Sequence, residues 1–278
     1  MISMDCPTLD AGDVFITCIS RVRDQELKAR LTAITNDVTT ASSDYVDKAR
    51  NNRLHEVVRQ ALIGDVTTAE MEKVYTQRMA GKKAPGRPAY DEIFNSSAKC
   101  LLCAQRKVDT LDHHLPKAHY PVLAVTPANL LPACASCNKA KLASIPNTAD
   151  EAALHPYFDC IENERWLYGQ VVPGLPAVVK FRVEIPVPWT QQLANRVKAH
   201  FDALNLGDLY SAEAVDELSS IRHQLKGIYA GEGVQGVRAE LLARYESASI
   251  ARLNGWRAAT YQSFAESEWF CDGGFAEE

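Results

Sequence analysis

Two Cys-x-x-Cys pairs lie within one short stretch of this 278-residue chain: Cys100 with Cys103, and Cys134 with Cys137. A Cys-x-x-Cys turn lets both sulfur atoms reach one ion, and four thiolates complete the tetrahedral coordination of structural zinc. We therefore predict a structural Zn²⁺ site that closes the long loop between the pairs. The alternatives are two disulfides or four unrelated buried thiols, although a chain that looks intracellular keeps its thiols reduced.

Polar residues that suit hydrolytic chemistry lie between and beside these cysteines. Asp112, His113 and Asn129 stand between the two pairs, and Asn138 directly follows the last cysteine. Carboxylate and amide oxygens are ligands for Mg²⁺ or Mn²⁺, and histidine can take a proton from water near neutral pH. Phosphodiester hydrolysis needs a base for the water and a cation for the leaving oxygen. The stretch therefore predicts a nuclease site.

Three short elements are needed to position these groups. The β-branched residues of Val108–Leu111 predict a strand that delivers Asp112 and His113 at its end. Two prolines then enforce a loop, since proline cannot continue a strand ladder. Ser136–Leu142 is predicted to begin a helix that carries Asn138. A strand, a loop and a helix in this order would bring the carboxylate and the amide together.

In this order the residues resemble the motif of the HNH endonucleases, the ββα-metal nucleases. The matching residues are Cys100, Cys103, Asp112-His113-His114-Leu115-Pro116, Asn129-Leu130, Cys134, Cys137, Asn138 and Lys141. The resemblance implies that His113 is the general base and that Asp112 and Asn138 ligate a catalytic Mg²⁺ or Mn²⁺. It also implies that Asn129 ties the catalytic loop by hydrogen bonds and orients His113. Many members carry histidine where this chain has Asn138, so we expect the H-N-N variant.

The expected fold class is α+β, with a ββα-metal (HNH) core and a four-cysteine zinc site. N-terminal helices and a C-terminal β-hairpin with further helices would flank this core. The corresponding regions are a helical N-terminal region over residues 1–90, a nuclease domain with the zinc site over 91–160, and a C-terminal region over 161–278.

The other histidines near the motif leave alternatives open. Neighbouring side chains on a strand point to opposite faces, so only one of His113 and His114 can face the metal, and the motif favours His113. We expect His119 to be a solvated loop residue or a phosphate contact rather than a metal ligand. His155 is a further candidate ligand for the metal or the phosphate, and the alternative is capping or core packing together with Tyr157.

Charge is unevenly distributed along the chain. The net charge is −5, but residues 73–141 contain eleven Lys and Arg side chains against four Asp and Glu. Attraction to phosphate is local, so we expect DNA to lie here, with RNA not excluded. For any single lysine, the alternative is a solvated charge without function. The candidate contacts are Lys82, Lys83, Arg87, Lys117, Lys139 and Lys141.

Periodicity predicts the remaining elements. The predicted N-terminal helices are Asp24–Thr35, Ser43–Leu62, Thr68–Met79 with Thr67 or Thr68 as N-cap, and Tyr90–Ala98. Two strands, Trp166–Val172 and Val178–Ile185, are predicted to form a hairpin across Pro173–Pro176. The predicted C-terminal helices are Thr190–Leu204, Ala212–Lys226 with Ser211 as N-cap, Val234–Glu246 and Ile250–Glu268.

The composition favours a cytoplasmic globular protein. No apolar run is long enough for a membrane helix, and Met1–Asp13 contains acidic residues, among them Asp5 and Asp10, and no basic ones, unlike a signal peptide. The scattered residues Cys6, Cys18, Cys160 and Cys271 are most simply free thiols.

These features favour a metal-dependent HNH endonuclease that cuts DNA. One alternative is a zinc-containing nucleic-acid-binding protein without catalysis. Another is a nuclease subunit that acts with an ATPase or another defence-complex protein bound through its acidic helical flanks. The layout is similar to the HNH components of Septu-type anti-phage systems, which work beside an ATPase, so a role in bacterial or phage-related defence is expected.

Overall fold

A computed structural model describes residues 1–141, 145–174 and 176–276. The described residues form helices and three short antiparallel strand pairs, which confirms the predicted mixture of helices and small sheets. The chain divides into two compact units, Met1–Cys160 and Ile161–Glu278. No helix among the described residues is long and apolar enough to cross a membrane.

The first unit contains the cysteine pairs. Its helices are α1 (Ala11–Ile19), α2 (Gln25–Ala33), α3 (Thr35–Arg50), α4 (Thr68–Lys73), α5 (Arg87–Asn95) and α6 (Ala135–Lys141). Its strands are β1 (Leu62–Ile63), β2 (Val66–Thr67), β3 (Thr110–His113) and β4 (Leu130–Ala133). One hydrophobic core contains residues from both the helices and the motif, including Phe15, Tyr45, Met79, Leu111 and Leu123. The predicted regions 1–90 and 91–160 therefore share a core.

The N-terminal helices differ from the prediction in two places. Helix α1 was not predicted; Asp10 caps it by accepting a hydrogen bond from the backbone N–H of Asp13. The prediction of a helix over Ser43–Leu62 was wrong, because α3 starts at Thr35 and ends at Arg50. Asn52 has a left-handed backbone (φ 56°) just after this helix, a conformation that a continuing right-handed helix cannot contain.

A predicted cap is confirmed before α4, but the helix changes character within the predicted range. Thr67 and Glu70 form a reciprocal capping box. The α-helix ends at Lys73, and a π-helical segment, Val74–Met79, follows it. The backbone N–H of Ala80 bonds to the carbonyl of Tyr75 at 2.8 Å, which is the wider i→i−5 bond of a π-turn.

The strand before the loop lies later in the chain than predicted. The predicted range Val108–Leu111 was wrong: β3 begins at Thr110 and pairs antiparallel with β4, with Asp112 opposite Leu131 and His113 opposite Leu130. These two polar residues therefore lie within the strand and not after its end. The pairing partner sets this register, and the local β-propensity of Val108 does not reveal it.

The motif helix and the short helix before it are close to their predicted ranges. Helix α6 starts at Ala135 and carries Asn138, while the predicted end at Leu142 lies outside the described residues. Helix α5 starts at Arg87 and ends at Asn95, earlier than the predicted range Tyr90–Ala98. Proline in the first turn of α5 explains the earlier start, because its missing N–H costs nothing there.

The second unit is a β-hairpin combined with long helices. It contains β5 (Leu167–Val172), β6 (Val178–Val183), α7 (Gln191–Ala203), α8 (Leu206–Ala251), α9 (Trp256–Glu266) and a π-helical turn, Phe270–Gly274. The two strands pair along their whole length, from Leu167 opposite Val183 to Val172 opposite Val178. The predicted hairpin is confirmed, although Leu175 in its turn lies outside the described residues.

Helix α8 replaces two predicted helices. Its two arms meet at Gly233 (φ 64°, ψ −156°), which agrees with the break predicted between them. The prediction of Ser211 as an N-cap was wrong, because the helix already begins at Leu206. The Ser211 hydroxyl instead donates to the carbonyls of Val179 and Gly207. The last predicted helix, Ile250–Glu268, is observed as the shorter helix α9.

Candidate metal centre and adjoining cleft

The four cysteines form a buried cluster, here called the cysteine cluster. The sulfur atoms of Cys100, Cys103, Cys134 and Cys137 all lie within 4.8 Å of one another. A tetrahedral zinc ion with Zn–S bonds of about 2.3 Å holds its sulfur atoms roughly 3.8 Å apart. The cluster therefore has the donor set and spacing to bind one zinc ion, as the sequence predicted.

Backbone hydrogen bonds arrange each cysteine pair. The N–H of Arg106 donates to the sulfur of Cys103, and the N–H of Cys137 donates to the sulfur of Cys134, both at 3.4 Å. In the second pair, Cys134 directly precedes helix α6 and Cys137 lies in its first turn. Ala104, directly after the first pair, has a left-handed backbone with φ 60°. Such a turn directs the backbone N–H groups toward the sulfurs, which favours the thiolate form.

Hydrogen bonding among the cysteines divides their pKa values. Bonds from Cys100 and Cys137 hold the pKa of Cys103 well below its usual range, while bonding within the cluster raises the pKa of Cys100 and of Cys137. Burial lowers the pKa of Arg106, but the neighbouring thiolates of Cys103, Cys134 and Cys137 outweigh it and raise that pKa. A zinc ion with four thiolates carries two negative charges, so the Arg106 guanidinium would offset part of that charge.

Three residues predicted for catalysis line one open cleft of about 390 Å³. Asp112 and His113 reach it from β3, and Asn138 reaches it from α6. Tyr75 and Lys117 are also on its wall. The remaining described lining residues are Thr110, Leu111, Pro116 and Ala118. The order strand, strand, helix thus brings a carboxylate, an imidazole and an amide to a common surface.

The orientation of His113 follows from one hydrogen bond. Its Nε2 lies 2.8 Å from the carbonyl oxygen of Ala124. Because a carbonyl oxygen only accepts, Nε2 carries the hydrogen and the Nδ1 lone pair is left for another proton. Burial first, and then the charges of Lys117 and Lys141, lower the pKa of His113 to about 3, although the bond to Ala124 opposes this shift. The imidazole is therefore neutral near neutral pH.

Asp112 is paired with a lysine inside the protein. Lys141 donates to Asp112 Oδ2 at 2.8 Å and to the carbonyl oxygen of His113 at 2.7 Å. Its side chain is only 8% exposed, so this ammonium is engaged within the site rather than at the surface predicted for a phosphate contact. Burial raises the pKa of Asp112, and the charge of Lys141 opposes that shift.

Asn129 is fully buried and connects the two ends of the loop that follows β3. Its Oδ1 accepts from the Leu115 N–H at 2.7 Å, and its Nδ2 donates to the carbonyls of Leu115 and Leu123 at 3.0 and 3.3 Å. The next carbonyl along the chain, that of Ala124, holds His113. Asn129 therefore helps to orient the His113 imidazole indirectly, by fixing the backbone of this loop.

The other histidines lie away from the cleft. His114 is buried with its ring centroid 4.2 Å from that of His155, and His119 is exposed. His155 bonds through Nε2 to the Tyr45 hydroxyl at 2.8 Å, and its Nδ1 accepts from the Tyr157 N–H at 3.2 Å. These bonds occupy both of its ring nitrogens, so the structure favours core packing over metal ligation for His155.

The predicted nucleic-acid contacts differ in exposure. Lys82, Lys83 and Lys139 are exposed, and Lys117 lines the cleft. Arg87 is held by an ion pair with another residue of α5. Tyr75 was missed as a site residue, because its spacing in the chain is that of an ordinary apolar helix face. No sequence signal marks its approach to the cleft.

Together, the fold and site define a mixed α/β protein with a buried four-cysteine cluster beside a polar cleft. The chain is 32% identical over 228 residues to "Protein ea31" of Escherichia phage lambda, and the alignment covers 76% of this chain and 77% of that protein. It belongs to the family of phage lambda protein ea31. No protein-family model and no solved structure matches the chain.

Proposed function

We propose that this protein is a metal-dependent HNH endonuclease that hydrolyses phosphodiester bonds in DNA. The observation that carries the proposal is the meeting of Asp112, His113 and Asn138 in one cleft. Motif order supports it as well, since β3, β4 and α6 follow one another as strand, strand and helix beside the cysteine cluster. This is the arrangement expected of a ββα-metal core with a structural zinc.

His113 is the proposed general base. Its Nε2–H is engaged by the Ala124 carbonyl, so Nδ1 is the atom that takes a proton from water as the water attacks phosphorus. Burial, which lowers the pKa of this imidazole, keeps it unprotonated and available. The negative charge of a bound phosphodiester would raise that pKa and favour proton uptake.

Asp112 and Asn138 are the proposed ligands of a divalent cation. A carboxylate and an amide oxygen make a hard donor set, which fits Mg²⁺ or Mn²⁺. When bound, such a cation would stabilise the charge that develops on the leaving oxygen. Lys141 fixes the Asp112 carboxylate through one of its oxygens and limits the number of orientations this carboxylate can adopt.

The exposed lysines support DNA as the substrate. Lys82, Lys83 and Lys139 are exposed, and Lys117 lines the cleft itself. Such side chains attract the phosphate backbone without reading sequence. We further propose a cytoplasmic protein of phage-related defence, in which an ATPase or another protein partner binds the acidic helical regions.

Cleavage of supercoiled plasmid at low salt tests the proposal. We expect the wild type to nick DNA with Mg²⁺ or Mn²⁺ and to stop in EDTA. His113→Ala should lower the rate about 100-fold or more, since general-base catalysis contributes about 10²–10⁴-fold. The matched control is His223→Ala, an exposed histidine of α8, which should cut at the wild-type rate.

The same samples should contain one zinc per chain, so that a loss of activity is not a loss of fold. Cleavage by His113→Ala at the wild-type rate would exclude His113 as the base. An intact, zinc-loaded wild type that binds DNA but does not cut it would point to a binding protein or to a missing partner.

A further inference from the structure

Tyr75 lies against the proposed general base although it belongs to no part of the cysteine-rich motif. It comes from the π-helical segment Val74–Met79. Its ring centroid is 4.4 Å from that of His113, and the two ring planes meet at 73°. This edge-to-face geometry is the favoured arrangement of aromatic pairs.

The ring of Tyr75 is fixed at its far end. Its hydroxyl donates to the carbonyl oxygen of Leu111 at 3.3 Å, and Leu111 is a residue of β3, the strand that carries His113. The side chain is almost fully buried, with 8% of its surface exposed. Tyr75 is thus hydrogen-bonded to the strand whose histidine it contacts.

The ring of Tyr75 also contributes to the cleft wall. The Lys117 ammonium lies 5.6 Å from the Tyr75 centroid, within the range of a cation–π contact. Both residues line the cleft together with His113. An aromatic wall at this place limits the space in which the imidazole can turn.

Rotation of the imidazole by 180° about its Cβ–Cγ bond would place Cε1–H where Nε2–H now lies, and Cδ2–H where Nδ1 now lies. Only the orientation seen here gives Nε2–H to the Ala124 carbonyl at 2.8 Å. A single hydrogen bond contributes roughly 0.5–1.5 kcal/mol, which alone leaves a detectable fraction of the flipped ring. The packed Tyr75 ring excludes the intermediate angles of the imidazole by its volume. The imidazole therefore keeps the angle at which Nε2–H points at the Ala124 carbonyl.

We propose that Tyr75 is a positioning residue that holds the His113 imidazole in its Nε2–H, Ala124-bound orientation. The orientation itself is a property of the fold, and its effect on cleavage rests on the function proposed above. The N-terminal helical region thereby completes the site, because the motif alone does not supply this contact.

Two readouts on the same variants test the proposal. Long-range ¹H–¹⁵N spectra of protein labelled at histidine report the tautomer of His113 whether or not the protein cuts DNA. Plasmid cleavage reports its effect on kcat and KM. The variants are Tyr75→Leu, which removes the ring, and Tyr75→Phe, which keeps it. Phe94→Leu is the packing control, since Phe94 is a partly buried ring of the same core, stacked on Tyr90.

We expect the wild type, Tyr75→Phe and Phe94→Leu to show one Nε2–H tautomer and similar kcat. Tyr75→Leu should show a mixture of tautomers and a kcat lower by at least about 10-fold, with KM within about 2-fold. A single tautomer and normal kcat in Tyr75→Leu would overturn the proposal, and so would a loss in Tyr75→Phe as large as that in Tyr75→Leu.

The outcomes separate this proposal from the nuclease assignment. A wild type without cleavage activity leaves the tautomer comparison intact, so the positioning role is still decided. Undiminished cleavage by His113→Ala would end the catalytic assignment whatever the spectra show. If Tyr75→Leu does not retain its zinc, Tyr75→Met, which has a flexible side chain of similar length, replaces it in both measurements.

Discussion

The segment over residues 99–141 and the second unit are built in contrasting ways. In the first, the strands have four residues and the helix seven. In the second, the strands have six residues each and pair along their whole length, and α8 contains 46 residues. The short segment carries every residue proposed for the metal and for catalysis, whereas the second unit carries none of them.

The difference shows where this protein depends on a few specific contacts. Long strands and helices satisfy their own backbone groups and bury one apolar face, so many small contributions hold them together. The segment over 99–141 depends on the cysteine cluster and on Asn129, which hold loops that have few regular hydrogen bonds. Functional groups are commonly placed on loops fixed by such contacts.

Loss of zinc should produce the largest difference in stability between the segment over 99–141 and the second unit. Structural zinc contributes about 10–16 kcal/mol in small zinc-finger peptides. Cys134→Ser should therefore lose the metal and greatly increase hydrogen exchange across residues 99–141, while exchange in β5 and β6 stays the same. Zinc analysis and hydrogen-exchange mass spectrometry check this. Cys160→Ser, at an exposed cysteine, is the control, and equal exchange in both variants would refute the contrast.

Two asparagines allow a matched comparison, since each bonds to backbone groups of a loop or strand end. Asn129→Ala should lower the free energy of unfolding by about 3 kcal/mol, because buried backbone groups of Leu115 and Leu123 lose their partner. Asn254 accepts from the N–H groups of Trp166 and Leu167 but is half-buried, so water can replace it. Asn254→Ala should cost about 1 kcal/mol. Urea unfolding measures both, and a larger loss at Asn254 would contradict this ranking.

Substitutions at two positions with a left-handed backbone, one in each region, should change stability in opposite directions. Gly233 has φ 64° and ψ −156°, a combination nearly restricted to glycine, so Gly233→Ala should destabilise by about 2 kcal/mol. Ala104 has φ 60° beside the cysteine cluster, and Ala104→Gly should stabilise by about 0.5–1 kcal/mol because the Cβ strain disappears. Thermal unfolding of the zinc-loaded proteins tests both signs. A stabilised Gly233→Ala would show that α8 tolerates a different break.

The smallest expected effect is a pH dependence that arises in the first unit. The hydrogen bond from Arg30 lowers the pKa of Glu70 to about 2, below an unfolded value of about 4.3. The resulting stability is complete above about pH 4.3 and is lost as the pH falls toward 2. Because the pair is partly exposed, we expect about 1 kcal/mol.

Unfolding followed between pH 5 and 2.5 measures this contribution, and Glu70→Gln should remove it. The comparison in the second unit is Glu184→Gln, because the Arg182–Glu184 pair is exposed on the hairpin. We expect no measurable change in stability there. An equal loss in both variants would mean that burial does not distinguish the two pairs.

The sequence predicted some parts of the fold well, and the reasons are local. The β5–β6 hairpin alternates over enough residues to be recognised, and Thr67 with Glu70 is a recognisable capping box. Residue types and spacing predicted the cysteine cluster and the meeting of Asp112 with Asn138. The rest depended on contacts distant in sequence.

Three particular failures show this dependence. The register of β3 is set by its pairing with β4, so the local preference of Val108 was misleading. Tyr75 reaches the cleft from the π-helical segment that follows α4, and no residue pattern predicts that segment. Lys141 was predicted to contact phosphate, but it is buried against Asp112. This burial depends on the fold of the intervening loop, so the sequence did not reveal it.

The ion pair between Lys141 and Asp112 affects the choice of an inactive protein for trapping a bound complex. Replacing the carboxylate by alanine would leave a lysine with an 8% exposed side chain without its counter-charge, a change that commonly costs about 3–5 kcal/mol. Such a protein would confuse a missing ligand with a damaged fold. His113→Ala leaves this pair intact, so it is the better bait for isolating DNA or protein partners from cells.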